Sequence, residues 1–184
     1  MALSPRSSDI EENLMKYLVV SLFLLFSSYS FSQQQNKCVT SELAGDYEGE
    51  GETKLFLENE EPWKTPCQLS LQITSDGPGN LQIPKCKCLT KWGAGVNCYV
   101  GQLKIQGNEV LIWNRIEKKL DLVGRCSGSS LKMSLNNQGK YPGTVNSIGD
   151  FKLQAIGNYL QFESSTYGLP NLEILTGEMR RKNP

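Results

Sequence analysis

Residues 46–57 read Asp46-Tyr47-Glu48-Gly49-Glu50-Gly51-Glu52-Thr53-Lys54-Leu55-Phe56-Leu57. Tyr47, Gly49, Gly51, Thr53, Leu55 and Leu57 fall on one side, and Asp46, Glu48, Glu50 and Glu52 on the other. A repeat of two is the period of a β-strand, whose successive side chains point to opposite faces. The same rhythm returns in Cys67–Ile73, Tyr99–Ile105, Val110–Ile116, Leu120–Gly124, Leu131–Leu135, Phe151–Ala155, Leu160–Phe162 and Leu172–Met179. Turn chemistry separates these runs, notably Ser75-Asp76-Gly77-Pro78-Gly79-Asn80, Gly107-Asn108 and Gly157-Asn158. The polar stretch Asn136–Ile148 is the longest interior loop. No window of about twelve residues beyond position 32 carries an apolar face at helical spacing. The pattern therefore predicts an all-β chain, an antiparallel up-and-down β-barrel or a strongly curled sandwich of about nine or ten strands, since closure removes exposed edges.

The only long apolar run lies near the start. Residues 15–32 give a lysine, an apolar stretch and then small residues, the order of a secretory signal peptide, with cleavage expected after Ser32. Residues 1–14 carry Arg6 against Asp9, Glu11 and Glu12, the wrong sign for the front of such a leader, so they read as an upstream mis-start with Met15 as initiator. Residues 33–184 then form a single secreted or periplasmic domain, large enough to bury a genuine core and without a membrane span after cleavage.

The chain has 19 basic and 19 acidic groups, six cysteines and no histidine. Neutrality argues against nucleic-acid binding through bulk electrostatics. Without histidine there is no Ser-His-Asp or Cys-His pair and no imidazole metal ligand. All six cysteines follow the leader, so in an oxidising compartment they read as three disulfides. Cys-x-x-Cys knuckles are absent, which speaks against a thiolate metal site and against a thioredoxin-like redox pair. A turn pivoting at Asp76-Gly77 sets Cys67 opposite Cys86, and a connection centred on Gly93 sets Cys88 opposite Cys98. Elimination leaves Cys38 with Cys126. The expected pairs are thus Cys67–Cys86, Cys88–Cys98 and Cys38–Cys126.

The run Leu43-Ala44-Gly45-Asp46-Tyr47-Glu48-Gly49-Glu50-Gly51 resembles the first strand of calycin-type barrels, the lipocalins and fatty-acid-binding proteins. Those families usually place tryptophan where this chain has Tyr47, and they carry a basic residue near the last strand that the sequence alone does not single out here. The resemblance covers about nine residues and implies a ligand-holding barrel. Gly49 and Gly51 leave volume on the inward face, for a ligand or for a sharp bend. The carboxylates of Asp46, Glu48, Glu50 and Glu52 read as a solvated outer face.

Trp92 sits in a glycine-rich segment between Cys88 and Cys98, flanked by Lys85, Lys87 and Lys91, a basic and aromatic patch suited to an acidic protein or a polysaccharide. Trp63, between Pro62 and Pro66, reads as part of a connection that caps an open end, and Trp113 as core. The candidate binding residues are therefore Trp92, Trp63, Tyr47 and Lys91, with no catalytic constellation, metal or cofactor. The leading expectation is a monomeric exported barrel that holds a small apolar or amphipathic ligand. The alternative is a secreted interaction or inhibitor module that meets an extracellular or periplasmic protein through the Trp92 loop. An enzyme is a third reading without a nameable nucleophile.

Overall fold

A computed structural model describes residues 37–57, 60–146, 148–168 and 171–182; the expected leader 15–32 and the segment 1–14 lie outside the described residues. Among the described residues one helical turn, α1 (Thr40–Leu43), precedes eleven antiparallel strands: β1 (Gly45–Phe56), β2 (Trp63–Thr74), β3 (Asn80–Thr90), β4 (Gly95–Asn97), β5 (Val100–Gln106), β6 (Glu109–Asn114), β7 (Lys119–Ser127), β8 (Ser130–Ser134), β9 (Ile148–Ile156), β10 (Tyr159–Gly168) and β11 (Asn171–Arg181). Neighbours in sequence pair with one another, β11 returns to β1, and β5 joins β3 directly, so that the ring closes with β4 as a short addition on β3. The expected all-β, up-and-down, disulfide-stapled architecture is thus observed, with the three-residue β4 found where sequence suggested only loop.

Alternation decides the core. Along β1, Tyr47 and Thr53 are buried and Asp46, Glu48 and Glu50 exposed. Thr53, Leu175, Ser164, Phe151 and Met133 form one inward row that crosses β1, β11, β10, β9 and β8 in register. Phe151 meets Phe162 edge to face, with centroids 5.2 Å apart. A void wide enough for water would leave accessible surface on its lining. Leu69, Ile83, Leu103, Val110, Phe151 and Leu160 show 0%. The middle of the barrel is therefore packed with side chains.

The glycines of β1 serve curvature. A Cβ at Gly49 would lie 2.2 Å from the Glu178 carbonyl oxygen and 2.7 Å from the Met179 Cα, so this position lets β1 and β11 approach closely and the wall curl. The space beside Gly51 and Gly177 is taken by Leu69 and the Cys67 sulfur, not left for a ligand.

Two hairpin registers differ from expectation, and with them two disulfides. The first turn centres on Pro78, between Gly77 and Gly79 with φ of +97° and +94°, not on Asp76-Gly77. Cys67 therefore faces Thr90, and Cys88 faces Leu69. Cys67 and Cys88 become diagonal neighbours and bond, with Cα atoms 5.5 Å apart, in place of Cys67–Cys86. The second turn centres on Trp92, which sets Lys87 opposite Asn97. Cys86 thereby reaches Cys98, at 4.8 Å between Cα atoms, in place of Cys88–Cys98. Cys38 pairs with Cys126 at 5.1 Å, tying the strap before α1 to the end of β7.

Trp113 is not core. Val110, Ile112 and Asn114 take the inward positions of β6, which turns Trp113 outward at 47% exposure. Trp63 is the first residue of β2, opposite Leu55, and belongs to a strand, not to a connection.

Candidate functional site

The strands order the connections into two groups. Tight turns at Gly107, Gly128 and Gly157 lie at one end with the β2–β3 turn and α1. The β3–β4 turn, the β6–β7 turn and the β8–β9 connection lie at the other, where Trp63 and Trp92 also fall. Tyr47 belongs to the first end. Leu55, the partner of Trp63, lies eight positions further along β1, which is about 27 Å of strand. The four candidate binding residues therefore do not form one site.

Tyr47 is 1% exposed and plugs the first end. Its hydroxyl donates to the Leu43 carbonyl at 2.9 Å and accepts from the Arg181 Nη2 at 2.8 Å. The Arg181 guanidinium also donates to the Glu42 carbonyl and lies 5.4 Å from the Tyr47 ring centroid. Register produces this contact, since Tyr47 faces Arg181 across the β1–β11 ladder. Arg181 is the residue that sequence reasoning missed, because only strand pairing joins positions so far apart in the chain.

At the opposite end, the β8–β9 connection folds inward. Asn137, 1% exposed, donates to the Thr144 carbonyl at 2.9 Å and accepts from the Tyr141 amide at 2.7 Å. Thr144 accepts from the Gly101 amide at 2.9 Å. The Tyr141 hydroxyl and the Asn114 amide both donate to Asp121, at 3.2 and 2.7 Å. Burial raises the Tyr141 pKa, and the carboxylate it faces raises it further. These bonds hold the loop as a plug over the β5–β7 side of the mouth.

The β10–β11 side is different. Glu173 shares the inward side of β11 with Leu175, opposite Leu55 and Thr166. It has no hydrogen-bond or ion-pair partner among the described residues, and desolvation by burial raises its pKa. The Ser164 hydroxyl, one row deeper, is buried without a hydrogen-bond partner among the described residues.

Trp92 is 79% exposed and Trp63 63%. The Trp92 turn is stiff. The Thr90 amide donates to the Ala94 carbonyl at 2.8 Å, the Thr90 hydroxyl donates to the same oxygen at 3.0 Å, and Gly93 takes the φ of +77° that favours glycine. Cys67–Cys88 and Cys86–Cys98 clamp its base. Lys91 sets its ammonium 4.7 Å from the Trp92 ring centroid, a cation–π contact that holds both side chains at the tip. Beside the turn runs a groove of about 540 Å³ floored by Pro66, Gln68 and Leu89, with Glu50 on one bank and Lys91 on the other. Lys85 and Lys87 extend the basic bank along the exposed face of β3. The arrangement sets an exposed tryptophan, cations and a floor of Pro66, Gln68 and Leu89 side by side.

No protein-family model matches the chain, and no curated protein matches it. Among solved structures, Rv2717c from M. tuberculosis is similar over 78% of this chain and 94% of its own, with 16% identity and a TM-score of 0.51. A protein of unknown function from the DUF3598 family of Nostoc punctiforme aligns over 80% of this chain and 50% of its own, at 14% identity and a TM-score of 0.46. The transferrin binding protein B of Haemophilus parasuis aligns over 80% and 29%, at 13% identity and 0.37. This chain thus spans half or less of the latter two. The likeness to Rv2717c is one of fold, and a shared barrel does not carry an activity with it.

Proposed function

We propose that this chain is an exported binding module whose partner is an extracellular or periplasmic protein docked on the Trp92 turn and its groove. The observation that carries the reading is the pairing of an exposed, disulfide-clamped tryptophan with a barrel whose middle is already filled. Hot spots favour aromatic anchors that lose little freedom on binding, and a stiff turn supplies that. Lys85, Lys87 and Lys91 favour a partner with an acidic face. Three disulfides fit an oxidising compartment, and the leader at residues 15–32 supplies the route to it. We also read the chain as calycin-like: Tyr47 stands for the tryptophan of the first strand, and Arg181 supplies the basic residue near the last. Among the described residues the middle of the barrel leaves no space for a small apolar or amphipathic ligand, which makes the carrier the weaker reading.

The test compares immobilised wild type and Trp92→Ala against the extracellular or periplasmic fraction of the source. The wild type retains a protein that the variant binds about tenfold more weakly, a loss of roughly 1.4 kcal/mol, with an unchanged melting temperature. Equal retention, or a variant that unfolds, contradicts the reading.

A further inference from the structure

The outer face of an antiparallel wall around a packed interior is normally polar. On β6 and β7 it is not. Trp113 stands directly opposite Leu120, and Leu111 opposite Leu122, so four apolar side chains form one block on the outside of the barrel. Ile116, in the adjoining turn, adds a fifth. Trp113, Ile116, Leu120 and Leu122 expose 47%, 63%, 39% and 56% of their surfaces, whereas Leu111 is covered by its neighbours at 8%. Together they present roughly 400 Å² of apolar surface, within the size range of patches that are often functional.

The border of the block is basic. Lys104 faces Leu111 from β5. Arg125 continues the outward side of β7 and faces Lys132 on β8. Lys118 and Lys119 lie in and just after the turn. Against these five cations stand Glu109, which faces Arg125, Glu117, which pairs with Lys119 at 2.6 Å, and Asp121 on the other side of β7, whose charge also reaches Lys119. The surface therefore combines exposed tryptophan, leucine and isoleucine with an excess of positive charge.

We propose that this β6–β7 wall docks the protein peripherally on an anionic lipid surface, with Trp113, Ile116, Leu120 and Leu122 in the headgroup layer and the surrounding lysines and arginines on lipid phosphates. Tryptophan favours such boundaries because its ring is apolar and its N–H finds a polar partner. Basic residues beside shallowly buried apolar ones are the combination that holds proteins at charged bilayers without crossing them. Among the described residues no helix is long and apolar enough to cross. A second copy of this chain fits the block poorly: stable interfaces use about 800 Å² per partner, twice what is offered, and a two-fold contact would oppose two basic borders.

The experiment is flotation of the full exported protein with phosphatidylcholine vesicles, with and without about one third phosphatidylglycerol. The protein floats with the anionic vesicles only, and added salt weakens binding. Leu122→Ser and Arg125→Glu, both at outward positions, each lower the bound fraction about tenfold, while circular dichroism stays unchanged. Trp92→Ala floats like wild type, which separates this surface from the Trp92 turn. Failure to float with anionic vesicles, or equal flotation of wild type and both variants, overturns the proposal. So does light scattering that shows a dimer abolished by Leu122→Ser, since a second copy would then occupy the wall.

Discussion

Glu173 shows how one side chain feels its place in a barrel. Its carboxyl points to the inward side of β11, and burial raises its pKa above the ordinary carboxylate range. The native state therefore holds the proton more tightly than the unfolded chain does. The sign follows from linkage: the contribution favours folding at low pH, where Glu173 is neutral in both states, and is lost as pH rises through the raised native value. Glu173→Gln is neutral at every pH. The difference in melting temperature between variant and wild type is thus expected near zero at about pH 4 and increasingly in favour of the variant towards about pH 7. Thermal melts across that range check it, and a difference that does not change with pH contradicts it. The burial of Tyr47 is matched by the Leu43 carbonyl and Arg181, so its polar atom is satisfied, whereas that of Ser164 finds no partner among the described residues.

At the scale of elements, the strands were legible and their registers were not. Alternation placed Tyr47, Leu69, Leu103, Leu131 and Phe151 inside, because a barrel wall with a filled interior asks only for period two. Which cysteines meet depends on where a turn pivots, and Gly77-Pro78-Gly79 allows more than one pivot. A two-residue displacement of that pivot carries Cys67 from Cys86 to Thr90 and leaves Cys88 as its bonding neighbour. Trp113 was misplaced for a different reason. The apolar character of Val110–Ile112 hid the alternation that sets Trp113 outward, although the same alternation read from Val110 and Ile112 would have found it. The pairing has a direct check: trypsin cleaves after Lys85 and Lys87, separating Cys86 from Cys88. Under non-reducing conditions the Cys86 peptide is expected joined to the Cys98 peptide, and the Cys88 peptide to the Cys67 peptide. Links of Cys86 to Cys67 and of Cys88 to Cys98 would contradict the observed register.

The whole molecule separates wall, ends and interior into different tasks. One end is sealed by α1, Tyr47 and Arg181, and part of the other by the β8–β9 connection through Asn137, Tyr141 and Thr144. Between them the interior is filled by large apolar side chains, which is why we place binding on the outside, at the Trp92 turn on one side and the Trp113 block on another. The sequence pointed to Trp92 and Lys91 because a tryptophan beside lysines in a cysteine-bracketed turn is legible locally. It did not point to Arg181 or to the block with Leu120 and Leu122, since those exist only once strands pair. On this reading the barrel binds with its surface and not with its lumen. Native mass spectrometry of protein purified from its own source tests this most directly. The expected mass is that of the disulfide-bonded chain, alone or with a protein partner; a stoichiometric small molecule that stays bound until the barrel unfolds is the opposite result and overturns the surface-binding reading.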